Sequence, residues 1–241
     1  MKNTLPNSAR LLIGLVAATS VGTLALSVRN DHLELSLRFL ILAVGAVVAS
    51  RFKIKLPGMS TTMSGNLPIL LLAISQLGLL EASLLAVACA LTQSFASGNK
   101  KPSLVQLVFN TGTLVNATGA ATWAFYFGLN HGGNAGQALA FTLAAAAYFV
   151  ANTLPVAVII ALSEAKNAAH IWRTVFLWTF PNYVMAAGLA TMAALAGPAL
   201  SWKVMTPMML VLFGVYRCYS LYAEAHKQEQ PLLAMAAASS R

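Results

Sequence analysis

Residues 138–163 read ALAFTLAAAAYFVANTLPVAVIIALS, without one charged side chain. That is longer than the roughly 20 apolar residues that cross a hydrocarbon layer of about 30 Å. Its apolarity is continuous, as in a helix, where a membrane-barrel strand would alternate over about 10 residues. Working outward, comparable segments occupy 11–28, 35–50, 67–80, 82–96, 104–127, 174–200 and 205–222. In chain order the third and fourth are short and parted by Glu81 alone, so they read as two short helices or as one re-entrant hairpin. Either way the chain returns to the side it left. The fold class this predicts is all-α, a polytopic integral membrane helical bundle of about eight transmembrane segments over 1–225, with a cytoplasmic tail at 226–241.

Composition agrees with that reading. Of 241 residues, 58% are hydrophobic and 9% charged, against about 25% charged in an ordinary soluble domain. A water-soluble single domain is excluded, and no room is left for a separate catalytic domain of about 100 to 150 residues. The net charge of +9 is spread thinly between apolar segments, which is the pattern of cytoplasmic membrane loops and not of a nucleic-acid surface. Membrane lipid is therefore the expected partner, and nucleic acid is not. Cys89 and Cys218 lie inside apolar segments and read as small buried hydrophobes, without a disulfide framework.

Cationic residues are retained on the cytoplasmic side of bacterial membranes. One set of loops carries Lys2, Arg10, Arg51, Lys53, Lys55, Lys100, Lys101, Lys166, Arg173, Arg217, Lys227 and Arg241; the other carries Arg29, Arg38 and Lys203, which accounts for all 15. This asymmetry assigns both termini to the cytoplasm and the chain to the inner membrane as a multi-pass protein. Lys2 and Arg10, with Ala25 and Ser27 spaced like a cleavage site, also fit a signal peptide. The run at 11–28 exceeds the usual apolar core of about 7 to 15 residues, however, so it is read as a span. Pro155 and Pro181 remove backbone donors within the sixth and seventh segments, where kinks are expected.

Polar side chains inside apolar segments face helix neighbours or a cavity. Gln106, Asn110, Thr113 and Asn116 follow at steps of four, three and three, a spacing that stacks them along one side of the fifth segment, with Gly112 and Gly119 flanking Asn116. Gln93, Asn152, Trp178, Asn182 and Tyr183 complete the candidate ligand-binding set. With the orientation above, Gln93, Asn110, Asn116, Asn152, Asn182 and Tyr183 share a depth between the midplane and the cytoplasmic surface. That depth suits a cavity for a small uncharged or planar ligand, and equally a seam of interhelical hydrogen bonds worth about 0.6 kcal/mol each. Trp172 reads as part of an interfacial aromatic belt.

The sequence carries no chemistry of the usual catalytic kinds. His32, His131, His170 and His226 fall in loops or beyond the last span, which excludes paired intramembrane haem ligands. No metal cluster, nucleophile elbow, phosphate loop or His-Glu-x-x-His helix is present, and no acidic residue lies deep in a long span. The expectation is a non-enzymatic protein with no catalytic or metal residues and no cofactor.

Several phrases from Arg51 onward, RFKIKLPG, LGLLEASLLAVACALTQ, KKPSLVQLVFNTGT, ANTLPVAVIIALSEAK and WTFPNY, carry a resemblance. They resemble the N-terminal multi-pass membrane (sensory or input) domain found ahead of diguanylate cyclase and HD-type phosphohydrolase output domains in soil bacteria. FGVYRCYSLYAEAHKQEQ resembles the last span and the helix leading to the output domain of such proteins. Here the sequence ends at Arg241 after LLAMAAASSR, and Pro231 would interrupt a continuous signalling helix. The resemblance thus implies an input module acting on a separate cytoplasmic or membrane signalling partner, and it brings no ligand residues with it. A looser similarity is to the substrate-binding membrane subunits of vitamin-type transporters, whose comparable loop lies outside, opposite to the side expected for Arg51, Lys53 and Lys55. A helix-binding assembly protein is the third reading. Oligomer formation through the final span is compatible with signalling.

Overall fold

The computed structural model describes residues 6–31, 33–51, 53–55, 62–96 and 102–197. The segment at 205–222, the tail at 226–241, the Pro57–Gly58 turn, Cys218 and the cations Lys2, Lys100, Lys101, Lys203, Arg217, Lys227 and Arg241 lie outside the described residues. The elements are α1 (Asn7–Asn30), α2 (Leu37–Arg51), β1 (Lys53–Lys55), β2 (Thr62–Ser64), α3 (Leu67–Gln76), α4 (Leu79–Phe95), α5 (Leu104–His131), α6 (Gly136–Glu164), α7 (Ala168–Ile171) and α8 (Phe180–Leu195). Between α7 and α8 the chain passes through a π-helical turn, Trp172–Phe176, and a 3-10 turn, Leu177–Thr179. The described residues are thus overwhelmingly helical. On either side of the Pro57–Gly58 stretch the chain pairs as a short antiparallel ribbon, with Lys53 opposite Ser64, Ile54 opposite Met63 and Lys55 opposite Thr62.

Among the described residues three helical stretches, Asn7–Arg29, Gly133–Glu164 and Ala168–Leu195, are long and apolar enough to cross a membrane. The 28-residue α5 has the length, but its amides and hydroxyls keep it less apolar than those three. The expected short pair appears as two helices of 10 and 17 residues, α3 and α4, broken at Leu77–Gly78. At 1.5 Å per residue α3 is about 15 Å long, roughly half the hydrocarbon thickness. Every residue from Leu67 to Ile74 is buried, and such an all-round apolar helix belongs inside a bundle. It is enclosed by α2, α4, α5 and α8. Leu70, Leu71, Leu72 and Ile74 join Leu85, Cys89, Phe141, Tyr148 and Tyr183 in one core.

The helix order follows from point contacts. Gly112 meets Val16 and Gly119 meets Thr23, so α5 runs parallel to α1. Gly128 sits against the backbone of Ala140, and α6 runs back along α5 after the short link at 132–135. At its far end α6 stops in a left-handed Ala165 (φ 52°), with Lys166 N–H donating to Ala161 C=O. This is the six-to-one closure that ends helices, here without the usual glycine. Asn167 then caps α7 by accepting from His170 N–H at 3.1 Å.

The two prolines act differently. Pro181 lies in the first turn of α8, where no intrahelical donor is required, and the regular ladder gives way ahead of it to the π and 3-10 turns. Pro155 lies inside α6, which is continuous through it.

Candidate functional site

The predicted polar residues are placed in separate seams. Gln106 belongs to the N-terminal capping box of α5: its backbone N–H donates to Ser103 Oγ and its side-chain oxygen accepts from Ser103 N–H. Asn110 turns to α4, where its Nδ2 donates to Ser94 Oγ at 3.4 Å. Asn116 turns to α1, donating to Val16 C=O at 3.1 Å and Thr19 Oγ1 at 2.8 Å while accepting from Thr23 Oγ1 at 3.4 Å. Six residues at about 100° each set Asn110 and Asn116 about 120° apart around the helix, which is why they address different neighbours. Thr113, between them, is buried.

A second seam joins α6 to the α7–α8 arm. Asn152 Nδ2 donates to Tyr183 Oη at 3.2 Å, and Trp172 Nε1 donates to Thr153 Oγ1 at 2.9 Å. Phe149 is held among Trp172, Phe180 and Tyr183, its ring centroid 5.0 to 5.7 Å from theirs. Trp172, read as an interfacial ring, is thus bonded into the bundle. Trp178 is 70% exposed, and Asn182 Nδ2 donates back to Thr179 C=O at 3.4 Å. Gln93, near the end of α4, also has a partner. Asn152 and Tyr183 come together; the Asn110, Asn116 and Asn152 groups do not share one cavity.

An open cavity lies elsewhere, at the end of the bundle where the α1–α2 link meets the α3–α4 turn. It has a volume of about 610 Å³ and is lined by Asp31, Glu34, Ser36, Leu37, Arg38, Gln76, Leu77, Gly78 and Glu81, within the roughly 300 to 1,000 Å³ of small-ligand sites. Three of the chain's six carboxylates converge on it. Their placement follows from helix chemistry. Gly78 precedes α4 and offers no side-chain cap, so Asp31 Oδ2 reaches across and accepts from Leu80 N–H at 3.2 Å. Glu81, in the first turn of α4, accepts Glu34 N–H on Oε1 at 3.0 Å. Carboxylates at a helix N-terminus also gain from its partial positive charge, about 0.3 to 1 kcal/mol each.

One carboxylate oxygen of this group is left over among the described residues. Glu81 is 5% exposed and its Oε2 has no hydrogen-bond partner. A Cβ placed on Gly78 would fall 2.7 Å from that oxygen and 3.0 Å from Asp31 Oδ2, so the glycine lets both carboxylates close on the same spot. Among the described residues the ion pair formed is Lys166–Glu164, so none of the three is neutralised that way. Among the described residues, too, no group of three His, Cys, Asp or Glu side chains is assembled to hold a metal ion.

Sequence reading placed Glu81 correctly at a helix boundary but did not connect it with Asp31 and Glu34. The available signal was topological: the same alternation of sides that orders the cations puts both loops at one end. No family model, no curated protein and no solved structure matches the chain.

Proposed function

We propose that this chain is a non-enzymatic, multi-pass inner-membrane bundle of about eight spans, both termini cytoplasmic, that binds a small solute and acts as a sensory or input module. The observation that carries the reading is the acidic cavity, a ligand-sized opening with a buried, unpartnered carboxylate oxygen in its wall. The sidedness is supported by the helix order, in which Arg10, Arg51 and Lys166 gather at one end and Arg29 and Arg38 at the other, beside the cavity. The cavity then opens away from the cytoplasm.

A signal needs an element that the solute biases between two arrangements. The element best placed is α3, whose C-terminal end lines the cavity and whose flank packs on α8. Occupancy would shift α3 against α8 and its irregular approach, and from there the segment that follows. A second reading, the substrate-binding membrane subunit of a solute transporter, is favoured by that same short buried helix, since discontinuous helices build many transport sites.

Native mass spectrometry of gently extracted chain tests the proposal. A retained small molecule, with no solute uptake in proteoliposomes, is the expected result. Uptake would establish the transporter reading, and a stoichiometric helical partner without any small molecule would establish an assembly role.

A further inference from the structure

The geometry points to the class of solute: we infer that the cavity takes a small organic cation through its primary ammonium group, held between Glu81 Oε2 and Asp31. This rests on the proposed solute-binding reading and sharpens it. A carboxylate oxygen withdrawn from water with no donor is costly to keep. Glu81 Oε2 is such an atom, in a residue 5% exposed, while its Oε1 is already engaged by Glu34 N–H. The remaining oxygen of Glu81 and Asp31 Oδ2 both close on Gly78, 2.7 and 3.0 Å from where a Cβ would stand there, so the two oxygens are at most about 5.7 Å apart. An ammonium donating to two oxygens at about 2.8 Å each bridges a gap of that size.

Three further features select an ammonium over other ligands. A calcium or magnesium ion takes about six or more oxygens, and the described residues assemble no three-ligand group. The C-terminal end of α3, at Gln76, turns its partial negative charge toward the cavity. Leu37 and Leu77 supply apolar wall for a short hydrocarbon body. The amides first read as a ligand set are engaged in interhelical contacts or caps, and the other unpartnered hydroxyls, Ser83 Oγ and Thr113 Oγ1, belong to residues that do not line the cavity.

The test is the thermal midpoint of the full chain in detergent at constant ionic strength, with 1,4-diaminobutane, ethanolamine, tetramethylammonium, MgCl2 and CaCl2 as probes. A primary amine at ten times its dissociation constant should raise the midpoint by about 3 °C or more. Tetramethylammonium, which has no N–H to donate, should not. Glu81→Gln should fold, start from a higher midpoint because a buried charge is gone, and lose the amine response. Asp31→Asn should lose it also, which keeps the arrangement testable should Glu81→Gln not fold. An amine response that survives both substitutions, or a larger response to Mg2+ or Ca2+, overturns the assignment. If amines fail while uncharged metabolites shift the midpoint, solute binding stands and the ammonium assignment falls. If no solute shifts it, both fall.

Discussion

Alanine in place of Gly128 gives a quantitative test of how α5 and α6 meet. The new Cβ would lie 2.7 Å from Ala140 Cα, 2.9 Å from Ala140 N and 3.1 Å from Leu139 C. All three are backbone atoms that no rotamer change can move, and carbon atoms rest at about 3.5 to 4.0 Å. The helices must part by about 1 Å to admit one methyl group. Overpacking of this kind costs about 1 to 3 kcal/mol, offset by up to about 1 kcal/mol of better helix propensity. Gly188→Ala is the control, because nothing among the described residues lies within 4 Å of its added Cβ, which leaves the propensity gain. The difference between the variants should be about 2 kcal/mol, or roughly 4 to 8 °C in thermal midpoint followed by circular dichroism. Gly119→Ala should fall between them, since the obstacle there is the methyl group of Thr23 at 2.8 Å, a side chain that can turn. A midpoint for Gly128→Ala at or above that of Gly188→Ala would refute the close backbone approach.

Other outcomes follow from single contacts. Asn116→Leu removes three hydrogen bonds to α1 and should lower stability by about 1 to 2 kcal/mol at roughly 0.6 kcal/mol each, measured by detergent titration. Phe141→Ala empties a fully buried site that meets the Phe125 ring edge to face at 5.1 Å and should cost about 3 to 5 kcal/mol in the same titration. Trp172→Phe loses the bond to Thr153 and should cost about 1 kcal/mol, whereas Trp178→Phe, at a position 70% exposed, should change stability by less than about 0.5 kcal/mol. In intact cells, Lys53→Cys and Lys100→Cys should be unreachable by an impermeant thiol reagent and Leu33→Cys should react; the reverse pattern would invert the proposed sidedness.

Much of the helical layout could be read from the chain because a long apolar run admits one backbone solution in hydrocarbon, where every N–H must be satisfied within its own segment. That the third and fourth segments are separate helices was visible at Glu81, although the break itself falls a few residues earlier, at Leu77–Gly78, and Glu81 lies in the first turn of α4. The ribbon at 53–55 and 62–64 was not, because cationic and polar residues interrupted by Pro57 and Gly58 give a turn signal and hide a short pairing. Periodicity found the polar side of α5 but could not assign its partners: Asn110 and Asn116 differ by an arc about as wide as one helix contact, and only the positions of α1 and α4 decide which faces which. The acidic cavity escaped because its members come from residues 31 to 34 and 81, and a local scan finds three unremarkable loop carboxylates.

The attachment of α1 to α5 carries a consequence for biogenesis. Asn116 and Val16 are separated by 100 residues in the chain, so α1 leaves the ribosome well before the helix it docks on. At about 5 to 20 residues per second that interval is roughly 5 to 20 s. Through it the hydroxyls of α1 need no partner: Thr19, Ser20, Thr23 and Ser27 each donate to a carbonyl three or four residues back in their own helix. The first helix is chemically self-sufficient while it waits in lipid. When α5 arrives, the Asn116 amide donates to acceptors already in place, Val16 C=O and Thr19 Oγ1, and only the Thr23 hydrogen is shared between its own helix and the newcomer.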